Sequence, residues 1–526
     1  MKFMNDDFVL FSLSRFGNGP TPDDFAALSK RTFASWIEEQ TAPPKGDDPA
    51  TQARLRACRL RIHYGAGPDN KWPATDETRP LDLLDQPIEA AWPLLDNNAK
   101  PRDGAERRRA MDEVVAATYI RSVYSHWQLR EAMVQFWHDH FNVNANADER
   151  IMVALPTYDR DVVRAHALGN FREMLEAVAG STAMLYYLSN QSSRAGAANE
   201  NYARELFELH TLGRDAYLND RYDRWREVPG ALTGAPEGYI DQDVYEAARA
   251  FTGWTVENGA AIDGQRKLPA TGRFAYVEGW HDGYQKRVLA QEFDPFAVAR
   301  HDGRRVLDLV ADHPATARHI AKKLCIRFVG PNPPDPLVTR VAEEWRKQAA
   351  APDQIAQVIR AIALSPEFLA SRGTKVKRPL ALAAGFLRMT KADFTPTEGF
   401  HNAVAAAGQR LFGYGPPTGM PDDNEILLGT SALRNRWNLL LGLAQNSWQT
   451  GVCNPAQAFA QGDDMLIGAY VERWLGVFGT APDSVTIATL SGAIGLPPTV
   501  AAASLDPRRL ATLAALAAMA PAYQSA

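Results

Sequence analysis

The chain is short of the features that most readily name a biochemical class. Among its 526 residues there are only three cysteines, Cys58, Cys325 and Cys453. They are far apart, odd in number and outside any C-x-x-C spacing, which excludes a disulfide scaffold and a thiolate metal site. Charge of one sign is lacking too. The 57 Lys+Arg against 62 Asp+Glu leave −5, too balanced for a polybasic nucleic-acid or membrane-surface binder. No apolar run reaches the roughly 20 residues that a bilayer requires. The longest, Leu510 to Met519, is Ala-rich, is stopped by Pro521, and reads as a buried helix. Asp6 and Asp7 stand where a secretory signal needs its apolar core. These absences predict no nucleic-acid partner, no membrane insertion and, by default, a cytoplasmic location.

Common catalytic signatures are missing as well. There is no phosphate-binding P-loop, no strand-associated G-x-G-x-x-G, no H-E-x-x-H and no G-x-S-x-G. The E-x-x-H pair of di-iron bundles is not met, since Glu208 and Glu205 stand two and five residues before His210.

What is present is helix-forming text. With 45% apolar and 23% charged residues, the composition supports a large core. Ala, Leu, Arg and Glu recur at three- and four-residue spacing through Val114 to Trp137, Asp161 to Leu188, Gln242 to Phe251, Ala315 to Phe328 and Ile355 to Leu364. The expected fold is mainly α, a large multi-helical assembly with a few short strands or hairpins such as Arg273 to Glu278. A main helical unit is expected over 1–412, with an ordered insertion near 215–238, and a C-terminal helical region over 413–526 packed on it.

Two segments carry ligand-capable chemistry. In Asn199 to Gly213, Asn199 suits an N-cap and Gly213 a C-terminal stop. At about 100° per residue, Glu200, Asn201, Arg204, Glu205 and Glu208 share one sector, opposite Tyr202, Leu206, Leu209 and His210. Such a face is either a site wall, where carboxylates share a metal or proton and arginine holds an anionic oxygen, or a solvated ladder of Glu200–Arg204–Glu208 ion pairs. The second segment, Phe136-Trp137-His138-Asp139-His140-Phe141, ends a helix expected to begin before His126. His138 and His140 converge only if that helix frays into Asn142-Val143-Asn144. Elsewhere, Trp280-His281-Asp282-Gly283 with Lys286 is ordinary turn text around a titratable pair. Lys375-Val376-Lys377-Arg378-Pro379 reads as a solvated junction before a helix.

The ordered series Arg15-Phe16-Gly17, Phe136 to Val143, Asn199 to Gly213, Thr252-Gly253-Trp254, His313-Pro314-Ala315-Thr316-Ala317, Ser365-Pro366-Glu367-Phe368 and Trp437-Asn438 resembles the large bacterial family catalogued as domain of unknown function 1800. The resemblance runs over nearly the whole chain. It implies one long helical unit and marks the His-x-His and Asn-Glu-Asn-Tyr-Ala-Arg-Glu segments as signatures of a shared site. Members of that family are often encoded near a secreted phosphatase-like family, which implies such a protein as partner and an exported complex even without a signal here. The chain departs from the usual family pattern after Gly213, where the 215–238 insertion replaces a short glycine-rich link.

The leading expectation is a metal-dependent enzyme, with a slight lean to oxidoreductase. His138, His140, Glu205 and His210 would hold a divalent transition metal (Fe, Mn, Cu or Zn), with Asn201, Arg204 and Glu208 as catalytic residues. Glu205 and His210 can both serve only if the last helical turn is distorted. A second expectation is a metal-free acid–base lyase or hydrolase acting on a saccharide-like substrate through Tyr202, Arg204, His210 and paired carboxylates, the partner of either enzyme being a small-molecule or saccharide-like substrate. A third is a non-catalytic binding or assembly protein whose signatures are buried ion-pair networks.

Overall fold

Capping side chains start helices throughout the chain. Asp103 Oδ1 accepts the Ala105 N–H at 2.8 Å and opens the 21-residue helix Gly104–Tyr124. Thr21 and Asp24 form a reciprocal capping box at Pro22–Leu28. The computed structural model describes residues 4–68, 71–96, 98, 101, 103–458 and 465–526. Helix accounts for 56% of the protein. The strands of the described residues pair only as four two-stranded antiparallel ribbons, so the fold is mainly α. The strand-like text at Arg273 lies in Ala270–Tyr276, which pairs with Trp254–Asn258.

A large apolar core extends from Met4 to Tyr523, with a small separate cluster of Leu268, Val277 and Trp280. Regions 1–412 and 413–526 both contribute, since Thr430–Ala444 packs on Pro379–Met389 and on Pro507–Ala518. Near the start of the chain, the buried Arg15 donates to the carbonyls of Phe328 (2.9 Å) and Val329 (2.6 Å). It thereby ties the Asp6–Arg15 helix to the end of Pro314–Phe328. In the 215–238 segment, two 3-10 turns are closed at their base by Leu218 N–H to the Tyr239 carbonyl (2.8 Å) and Tyr239 N–H to the Ala216 carbonyl (2.9 Å).

Two long helical readings are broken. The expected helix through Val114 to Trp137 ends at Tyr124 and restarts at Gln128. Ser125 is extended there, and Gln128 Nε2 takes the Ser125 carbonyl at 2.7 Å, supplying a partner that helix continuation would otherwise provide. His126 therefore lies outside the helix, exposed, with Nε2 3.2 Å from Glu39. Asp161 to Leu188 divides into a π-helical segment, Tyr158–Arg164, and two helices, Phe171–Ala179 and Thr182–Tyr187. Asn170 and Ser181 cap the two helices. The π segment directly follows Glu149–Thr157, whose interior Pro156 has no N–H to give and crowds the carbonyl four residues back.

Candidate functional site

The Gln128–His140 helix ends in a segment in which every side chain has a separate task. Trp137 is fully buried and donates Nε1–H to the Ala167 carbonyl at 3.0 Å. The Phe141 carbonyl accepts from Tyr158 Oη at 2.6 Å, and Asn142 Nδ2 donates to the carbonyls of Tyr414 (3.0 Å) and Pro416 (2.8 Å). With the backbone held on both sides, His138, Asp139 and His140 project in fixed and different directions.

His138 Nε2 lies 2.9 Å from Asp159 Oδ1. Its Nδ1 has no hydrogen-bond partner among the described residues, and the ring meets Phe412 edge-on at 4.8 Å. Arg164 Nε donates to Asp159 Oδ2 at 2.9 Å, while its two terminal nitrogens bind Glu131 at 3.1 and 2.9 Å. Asp159 and Arg164 are five residues apart, a spacing that π winding brings together and α winding separates. Burial pushes the Asp159 carboxyl up, but Arg164, His138 and Arg121 outweigh it and hold the group well below the usual carboxylate range. This network borders a cleft, partly open to solvent, whose lining includes Glu131, His138, Arg164, Arg410 and Tyr414.

His140 enters a different cluster. Its Nε2–H donates to the His210 carbonyl at 3.0 Å, and Nδ1 receives Lys323 Nζ at 2.8 Å. The His140 ring is 6.1 Å from that of His210 and 6.3 Å from that of His319, centroid to centroid. His319 Nε2 donates to the Leu209 carbonyl at 3.1 Å. His210 is buried with neither ring nitrogen bonded. Burial, then the Lys323 charge, lowers His210 to about 3 and His319 to about 4, and burial lowers Lys323 to about 8. Asp139 faces a third group, pairing with Arg378.

The four expected metal ligands thus do not form one set. Positions i and i+2 of an intact helix lie about 200° apart, so His138 goes to Asp159 and His140 to Lys323. The helix does not fray between them. His210 does come near His140, because the expected distortion is present: Leu206–His210 is a π turn, with Thr211 Oγ1 donating to the Leu206 carbonyl at 2.6 Å. The half-buried Glu205 carboxylate has no hydrogen bond or ion pair among the described residues, and it is raised by burial and then by Glu208. Among the described residues no group of three or more His, Cys, Asp or Glu is arranged to hold a metal ion.

Of the expected catalytic residues, Asn201 and Arg204 lie on the Glu200–Glu205 helix and Glu208 on the π segment Leu206–His210. Arg204 pairs with Glu200 at 3.2 Å and Asp241 at 3.1 Å, both partners well exposed. Glu208 pairs with Arg214, and Asn201 is exposed. None of the three bonds to His138 or His140. The buried Tyr202 hydroxyl has no partner.

A model of the family described as protein of unknown function (DUF1800) matches residues 12–525. The chain belongs to that family. No curated protein and no solved structure matches it. Family membership therefore brings no reaction with it, and the residues of the cleft must be read on their chemistry. Several of those that build it were not visible in the sequence. Asp159 and Arg164 are separated by an unremarkable spacing whose only local signal is the preceding Pro156. Lys323 sits mid-helix in Pro314–Phe328 as an apparent surface lysine. The His281 motif proves to be a buried charge cluster: Asp302 Oδ2 takes Lys286 Nζ at 2.7 Å and His281 Nε2 at 3.2 Å.

Proposed function

We propose that this protein is a metal-free acid–base enzyme, a lyase or hydrolase acting on an anionic, saccharide-like substrate in the His138 cleft. The observation that carries the reading is the His138–Asp159 pair. The carboxylate at Nε2 keeps the imidazole proton there and leaves Nδ1, at a solvent-connected cleft, as the proton acceptor. Arg410 supports an anionic substrate, since its guanidinium has no hydrogen bond or ion pair among the described residues, although it lines the same cleft. The Tyr414 hydroxyl is likewise without a protein partner and supplies the acid.

In the lyase form, Arg410 neutralises a substrate carboxylate and His138 Nδ1 takes the proton from the adjacent carbon. The released electron pair forms a C=C bond as the C–O bond to the leaving sugar breaks. Tyr414 protonates the departing oxygen, and the imidazolium proton restores the tyrosine.

The test is turnover of uronate-containing oligosaccharides, followed by the ultraviolet absorbance of the unsaturated product. His138→Gln is expected to lower kcat by about 100-fold or more, the usual contribution of a positioned base. Asp159→Asn should lower it too, through the wrong tautomer. Turnover unchanged in folded His138→Gln protein contradicts the reading. A loss of melting temperature in both variants without any turnover in the wild type favours the assembly role.

A further inference from the structure

The segment Lys375-Val376-Lys377-Arg378 is not a solvated junction. Lys375, Lys377 and Arg378 are 8%, 7% and 3% exposed. With Arg15 and Arg327 they line a second cavity, to which no Asp or Glu side chain contributes. Two side-chain carboxylates reach the cations from outside it, Asp422 at 3.2 Å from both Arg327 and Lys375 and 3.5 Å from Arg378, and Asp139 against Arg378, while an Ala526 oxygen at the cavity accepts from Arg15 at 2.5 Å. The basic side chains around the cavity outnumber the Asp and Glu carboxylates that reach them.

Main-chain oxygens take up part of the imbalance, since Lys375 Nζ donates to the Ile326 carbonyl at 3.0 Å and Arg378 to the Met420 carbonyl at 2.8 Å, but other donors stay unmet. Arg15 spends its terminal nitrogens on main-chain oxygens and Ser371 Oγ, and its Nε is buried without a partner. Arg378 Nε is also buried without a hydrogen bond. Lys377 Nζ lies 3.8 Å from the Tyr523 ring centroid and has no acceptor among the described residues. Desolvated cations without counter-charge are costly. Ala381 brings the first turn of Pro379–Met389 to the same cavity, adding the partial positive charge of a helix N-terminus.

We propose that this cavity binds a tetrahedral oxyanion, either free phosphate or the phosphoryl group of a small molecule. Gln135 lines both this cavity and the His138 cleft, so the two sites are neighbours, yet the anion site stands without the acid–base reading.

Calorimetric titration of the full chain with inorganic phosphate and, separately, with glycerol 3-phosphate tests the site. Saturable binding of at least one probe is expected, about tenfold or more weaker in Lys377→Met and unchanged in His138→Gln. Tighter binding of phosphate identifies a free anion as ligand, and tighter binding of glycerol 3-phosphate a phosphorylated molecule. No saturable binding of either probe to folded wild type, or equal affinity in Lys377→Met, overturns the proposal. Should Lys377→Met fail to fold, amine acylation of the wild type gives the answer. Phosphate is expected to protect Lys377 in the peptide mass spectrum, and equal labelling with and without phosphate overturns the site.

Discussion

His138, Asp139 and His140 are consecutive, yet each joins a different polar cluster. At the residue scale their roles follow from what each side chain meets. His138 keeps one nitrogen for the cleft, Asp139 is committed to Arg378, and His140 uses both nitrogens inside the protein. His210 is the exposed cost of this arrangement in energetic terms, because two buried nitrogens have no partner. An apolar ring of similar size removes that penalty. His210→Phe is therefore expected to raise stability at pH 7 by about 1–3 kcal/mol, read from urea unfolding. A loss of similar size would show that His210 has a partner that matters.

At the scale of elements, two π segments and one loop build the site. Tyr158–Arg164 brings Asp159 onto Arg164, Leu206–His210 brings His210 beneath His140, and residues 413–424 close over the end of the Gln128–His140 helix. Gly419 marks the closest approach of that loop. Its φ is +69°, and a Cβ there would stand 1.9 Å from the Asp139 carbonyl oxygen. Gly419→Ala should destabilise the protein by more than about 1 kcal/mol and weaken whatever binds the cleft. Arg378→Met, which leaves the Asp139 carboxylate without its cation, should cost about 3–5 kcal/mol. Urea unfolding checks both, and stability within error of wild type would contradict the close packing assigned to them.

Helix content and the two ligand-rich segments were legible in the sequence because periodicity and capping residues are local signals. The Glu200–Arg204 ion pair was legible for the same reason, although its solvated position argues against the catalytic role assigned to Arg204. Helix breaks at Ser125 and the π winding after Pro156 were not legible, since both depend on partners such as Gln128 and Arg164 that only the fold supplies. Lys375, Lys377 and Arg378 misled for a related reason: a basic run reads as solvated until the elements that bury it are in place.

Across the whole molecule, buried histidines set the response to acid. His140, His210, His313, His319 and His401 are all lowered, in each case chiefly by burial. A lowered histidine takes up its proton more readily in the unfolded chain, whose value is about 6.5. The stability these histidines contribute should be full above about pH 6.5 and fall with acid, through about 4 for His319 and about 3 for His210. Lys323, lowered to about 8 from 10.5, adds stability only as pH rises above 8. Unfolding free energies measured from pH 4 to pH 7 should show this decline, with a shallower slope in His210→Phe. An unchanged slope in that variant would place the acid sensitivity elsewhere.

The central claim is that His138, held by Asp159, acts as a base without a metal. The most direct measurement is the turnover of a uronate-containing oligosaccharide by wild-type protein before and after exhaustive chelation, with His138→Gln alongside. The account predicts the same kcat before and after chelation and near-complete loss in His138→Gln. Activity abolished by the chelator and restored by a transition metal would contradict it.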